Sequence, residues 1–182
     1  MESIKIILFS IFAACVYGIS QDMVTAHVCT EYFLPPAHPI IFPSGSPVHL
    51  ALIWGVVATW WVGLLLGIPL AAACRVGRRP KLVAKDVVRP VLCLLATVFV
   101  AAMLFGVVGY AAGRMGWVYL LPPIADAVAP ERHALFLFNL WAHSAAYALG
   151  AVGGGVVMFR LWMKRRERNN NSRERSASGV TG

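Results

Sequence analysis

Charge is scarce in this chain. Lys, Arg, Asp and Glu make up only 13% of its 182 residues, too few to coat a soluble domain of that length with solvated side chains. Motifs that carry familiar chemistry are absent as well: there is no Walker phosphate loop, no Gly-x-Ser-x-Gly elbow, no His-Glu-x-x-His helix and no Cys-x-x-Cys pair. ATP-driven work and standard hydrolytic or zinc-thiolate chemistry therefore have no visible carrier. Cysteine is limited to Cys15, Cys29, Cys74 and Cys93.

What the chain does have is apolar sequence, 59% of it, in long runs. Four runs, at 4–24, 48–74, 91–113 and 134–159, reach or exceed the roughly 20 residues that cross a hydrocarbon core. The expected fold is an all-α membrane protein of four transmembrane helices. Its transmembrane domain covers 1–160, and 161–182 form a basic, disordered cytoplasmic tail.

Basic residues set the orientation. Arg75, Arg78, Arg79, Lys81, Lys85 and Arg89 cluster between the second and third runs, seven more Lys and Arg follow from Arg160, and Lys5 precedes the first. Only Arg114 and Arg132 remain for the opposite side, so both termini are expected in the cytoplasm. Cleavage of the first run as a signal peptide is the competing reading, on the strength of FAAC at 12–15. Phe12 and the single basic Lys5 argue against it. With this topology Cys29 is the one outside thiol and has no intramolecular disulfide partner.

A phrase recurs: YFLPPA at 32–37 and YLLPPI at 119–124, 87 residues apart. The same offset pairs Trp54 with Trp141, Gly63 with Gly150, Gly67 with Gly154, Pro43 with Pro130, and Arg78-Arg79 with Arg165-Arg166. Two tandem helical hairpins are expected, related by an axis along the membrane normal. Gly63 and Gly67, Gly109 and Gly113, and Gly150 and Gly154 each lie one helical turn apart. They would form packing seams of the bundle or of a homodimer. Pro69 should bend the second span.

Ligand-type side chains gather on the outer half: His27, His38, His49 and His133 near the interface, with Glu31 and Glu131. If the first helix continues through residue 31, His27 and Glu31 share a face and Cys29 points away. In an extended backbone all three converge. His27, Glu31, His38, His49 and His133 are thus the candidate ligands of a divalent metal, joined by Cys29 only if 27–31 is extended. The spacing matches no established zinc pattern. Pro35, Pro36, Pro39, Pro43 and Pro47 imply a stiff lid, and Ile40, Ile41 and Phe42 would meet the membrane interface.

In the fourth run Asn139, His143 and Tyr147 follow at helical spacing. His143 lies roughly 14 Å inward, deep enough to be a buried polar contact or a proton relay. Haem would need His143 with His49 as axial ligands, and their unequal depths count against it. Clusters at Arg78 to Lys81 and Lys164 to Arg166 suit anionic lipid head groups. No aromatic interleaving supports nucleic acid as a partner.

The segments AHVCTEYFLPPAHPIIF, LALIWGVVATWWVGLLLGIPLA, RRPKL and LWAHSAAYALG resemble those of an uncharacterised family of small bacterial four-span integral membrane proteins. The resemblance covers about residues 25–160, implies a bacterial inner-membrane setting, and carries no activity or cofactor. The leading expectation is a binding or transport-associated membrane protein with an extracytoplasmic metal site. Its alternatives are a structural subunit of a membrane complex and a membrane-embedded metal-dependent hydrolase with Glu31 or Glu131 as base; no catalytic residue is assigned and an enzyme is the less favoured reading.

Overall fold

The structure, a computed structural model, describes the backbone of residues 1–178 and the side chains up to 171. Helix α1 spans Glu2–Val28, α2 Pro47–Val57, α3 Trp60–Arg75, α4 Ala84–Arg114, the short α5 Ile124–Ala127, and α6 His133–Ser178. No strand occurs among the described residues. Four segments are long and apolar enough to cross a membrane, Glu2–Val28, Pro47–Arg75, Ala84–Arg114 and Pro130–Asn171, and each contains one of the runs expected from sequence.

Close glycine contacts fix how these helices pair. A Cβ on Gly63 would lie 2.6 Å from the Ile11 Cα, and Gly55 would meet the Ile19 backbone nitrogen at 2.5 Å. The second span therefore runs antiparallel to α1 with backbones nearly touching, which lipid-facing helices achieve only with small residues. Gly109 seats the Trp141 ring and Gly113 lies against Ala134, so α4 and α6 form a second antiparallel pair. Of the six expected seam glycines, Gly63, Gly67, Gly109 and Gly113 make such contacts. A Cβ on Gly150 would meet nothing within 4 Å, and one on Gly154 would make only ordinary contact with Leu66 at 3.5 Å. Gly18, Gly55, Gly106 and Gly153 complete the seams instead.

Hydroxyls inside the helices satisfy themselves locally. Ser10, Ser20, Thr25, Thr97 and Ser144 each donate to the carbonyl four residues earlier, which removes the cost of a lone hydroxyl in an apolar setting. Thr59 does the same to Gly55, at the place where the second span breaks. The interruption falls at Ala58 and Thr59, and Pro69 lies inside α3. Tyr147 faces the break and donates its hydroxyl to the Ala58 carbonyl at 3.4 Å.

Two apolar clusters close the bundle. At the proline-rich end Ala26, Cys29, Tyr32, Phe33, Leu50, Phe136 and Leu137 pack together; at the basic end Ile6, Leu70, Cys74, Leu82, Val87 and Leu161 do so. The loop after α1 belongs to the first cluster: Phe33 is 2% exposed, so it is an ordered cover, and its large apolar residues Ile40, Ile41 and Phe42 project outward. Both Pro35-Pro36 and Pro122-Pro123 peptide bonds are cis.

At the basic end α6 does not stop near residue 160, where the tail was expected to begin, but continues to Ser178. No Gly or Pro interrupts 156–178, and two sets of contacts hold the extension. Lys164 and Arg168 reach Asp86 at the start of α4. Arg165, 1% exposed, donates to the carbonyls of Ala73, Val76, Arg79 and Pro80 at 2.7–3.1 Å. Residues 179–182 of the expected tail lie outside the described residues.

Candidate ligand-binding groove

Between the two packed ends the α1–α3 pair and the α4–α6 pair draw apart. They leave an interior groove of ≈ 320 Å³ lined by α1, α2, α3, α4 and α6. Its wall runs from Ser10 to Asp22 along α1, about 18 Å at 1.5 Å per residue. Most of that wall is aliphatic: Ala13, Leu66, Leu70, Leu94, Val98, Ala151 and Val157 contribute. Gly150 and Gly154 belong to it too, which explains why they seat no neighbouring helix.

The groove turns polar toward the proline-rich end. There His143 Nε2 lies 3.1 Å from Asp22 Oδ1, a contact between α6 and α1 across 121 residues of sequence. Both side chains are nearly buried, 12% and 8% exposed. The pair sits beneath aromatic rings: Tyr32 packs on His143 at 4.8 Å between centroids, Phe33 at 5.8 Å, and His38 meets Trp54 at 4.7 Å. Three groove residues keep buried polar atoms without a hydrogen-bond partner: the Tyr17 hydroxyl, Gln21 Oε1 and His143 Nδ1. Buried polar atoms are nearly always hydrogen-bonded, so these three give the groove unused hydrogen-bonding capacity.

Of the expected Asn139, His143, Tyr147 stripe, Asn139 and His143 face protein, while Tyr147 is 47% exposed and reaches protein through its hydroxyl. Asn139, fully buried, donates from Nδ2 to the Thr25 and Cys29 carbonyls at 2.8 and 2.9 Å, and so ties off the C-terminus of α1. His143 takes Asp22, and Tyr147 takes the Ala58 carbonyl. Asp22 was not among the expected site residues. A carboxylate inside a 27-residue apolar helix was the available signal, but nothing local indicates a partner on α6.

The five expected metal ligands go separate ways. His27 donates from Nδ1 to the Met23 carbonyl, His38 from Nδ1 to the Tyr32 carbonyl, and His133 from Nε2 to the Val128 carbonyl. His49 pairs with the Ser44 hydroxyl. Glu31 is held by Arg132, Oε1 by Nε and Oε2 by Nη2, both at 3.1 Å. Among the described residues no group of three or more His, Cys, Asp or Glu side chains is arranged to hold a metal ion. The backbone condition for Cys29 is not met either: α1 runs through Val28, Cys29 alone is extended at φ −151°, and a 3-10 turn covers Thr30–Phe33.

Electrostatics agree with a structural strap there. The Arg132 guanidinium holds the Glu31 carboxyl below its ordinary range. Burial, reinforced by the hydrogen bond to Glu31, pushes the Cys29 thiol up to about 12, so it stays protonated and donates to Oε2 at 3.3 Å. Burial lowers the His38 imidazole, partly offset by its bond to Tyr32. His38 is therefore neutral at pH 7, and its ring joins the aromatic wall.

Fold and groove together define a multi-pass membrane protein whose interior space carries one buried carboxylate–imidazole pair. No protein-family profile, curated protein or solved structure matches the chain.

Proposed function

We propose that this chain is a binding or transport-associated protein of a bacterial inner membrane that takes a small apolar or amphiphilic molecule into the groove between its hairpins. The observation that carries this reading is a ≈ 320 Å³ apolar space ending at the Asp22–His143 pair. That combination, apolar walls with a few convergent polar groups, is the usual character of a small-molecule site. An intramembrane ionisable pair facing such a space adds to it. The same reading has both termini in the cytoplasm, supported by the basic residues around 75–89 and after 160. It also treats α1 with α2–α3, and α4 with α6, as tandem repeats, supported by the 87-residue offset and the two antiparallel pairings.

Gly150 offers a direct test, because a side chain there enters the groove without striking a neighbour. Gly150→Leu is expected to weaken binding of triphenylphosphine oxide, a neutral amphiphilic probe with an apolar triaryl body, by about 10-fold. Gly155→Leu, at an exposed position that also meets nothing within 4 Å, should leave it unchanged. Titration calorimetry on detergent-solubilised protein reads both. Equal binding by Gly150→Leu and wild type would contradict a ligand in this groove.

A further inference from the structure

Charge in the groove is one-sided. None of its lining residues is Lys or Arg, and Asp22 is its sole carboxylate. His143 occupies Oδ1, and among the described residues no side chain or backbone group donates to Oδ2. The rings of Tyr32 and Trp54 line the same end, and the faces of such rings are electronegative. Gln21 Oε1, on a residue only 3% exposed, is an acceptor with no donor. Negative and electron-rich groups thus converge with no fixed cation to balance them.

We propose that the polar end of the groove binds a lipophilic cation, an ammonium or phosphonium carried on apolar groups, with Asp22 as counter-ion and the Tyr32 and Trp54 rings against its charge. This rests on the groove being a binding site and names its ligand class. An anion would meet Asp22 with nothing to neutralise it, whereas a cation gains both the carboxylate and the ring faces. A protonated amine would in addition supply the hydrogen that Gln21 Oε1 lacks. Gln21 Oε1 and the Tyr17 hydroxyl are shielded from a water-sized sphere in this conformation, so the head reaches them through a turn of the side chains at the groove wall.

Proton balance follows from the pair. With no fixed cation among the groove residues, a net-neutral pair is the least costly arrangement, either Asp22 protonated beside a neutral His143 or a carboxylate beside an imidazolium. Either form holds one proton more than a carboxylate accepting from the Nε2–H of a neutral imidazole. Binding the cation selects that last form and sends the extra proton to solvent, with no covalent bond made to the ligand. The other titratable groups facing this end are His38, Tyr17, Tyr32 and Tyr147. His38 is already neutral, and the three tyrosines are phenols on both sides of the exchange. One positive charge enters and one leaves.

Three aryl probes separate the outcomes: tetraphenylphosphonium and tetraphenylborate, alike in shape and opposite in charge, and the neutral triphenylphosphine oxide. In calorimetric titrations of the full-length chain, the phosphonium should bind at least about 30-fold more tightly than the borate. Repeating the titration in buffers of different ionisation enthalpy should show about one proton released per cation bound, as one charge replaces another. Asp22→Asn should abolish both the preference and the proton release while keeping the neutral oxide within about 2-fold of wild type, a sign that the groove still forms. Borate or oxide binding as tight as phosphonium, or phosphonium binding without proton release, would overturn the cation assignment and leave the groove reading standing. Failure of all three probes to bind would remove the groove reading and this inference together.

Discussion

Arg165→Met is expected to lower the unfolding free energy by about 3 kcal/mol, read as a fall in the thermal midpoint of the detergent-solubilised protein. The side chain is 1% exposed and satisfies four carbonyls, three in the connector between α3 and α4 and one at Ala73 in the last turns of α3. Methionine fills comparable space and leaves those carbonyls without their donor. Arg165→Lys should recover less than half of the loss, because a single ammonium cannot span positions that the planar guanidinium reaches together. Amide hydrogen exchange should rise at 76–83, where the connector is released, and stay low at 25–33. Wild-type exchange at 76–83 in Arg165→Met would show that the turn holds itself.

The second large effect concerns the pair across the groove. Asp22→Ala leaves His143 Nε2 buried without a partner and should cost about 2 kcal/mol. His143→Leu should cost a similar amount by stranding Asp22. If the two contact each other as found, at 3.1 Å, the double variant will be less damaged than the sum, by about 1 kcal/mol or more. Additive losses would mean that the two residues act separately.

Much of the architecture could be read from composition and spacing. Runs of apolar residues have to become helices in lipid, since every backbone N–H and C=O must be satisfied within the segment; the four spans follow from that alone. The break at Ala58–Thr59 does not, because neither residue disrupts a helix by its own propensity. It coincides with Gly18 and Gly55, at which α1 and α2 approach too closely for a side chain, and such a contact is a property of two segments.

The groove was half legible. His143 is an imidazole deep in an apolar run, and it and Asn139 face protein, whereas Tyr147 is half exposed and reaches protein through its hydroxyl. The partner of His143 lies elsewhere: Asp22 is 121 residues away in sequence, whereas His27 and His38 of AHVCTEYFLPPAHPIIF lie close together in the chain. Those histidines were good ligand candidates by residue type. Geometry disperses them, because the cheapest partner for an imidazole N–H is a carbonyl a few residues away, as at His27 and His38 and likewise at His133. Arg165 shows the same limit from the other direction. Within Lys164-Arg165-Arg166 it reads as one more positive charge, yet burial among carbonyls 85 to 92 residues earlier, at the end of α3 and in the connector after it, sets it apart from its neighbours.

The most direct test of the groove is a crystal structure grown with tetraphenylarsonium and measured at an arsenic-sensitive wavelength. The expected result is a single strong anomalous peak between Asp22 and Trp54, inside the four spans. Peaks confined to the lipid-facing surface, with the groove walls closed on one another, would contradict the account.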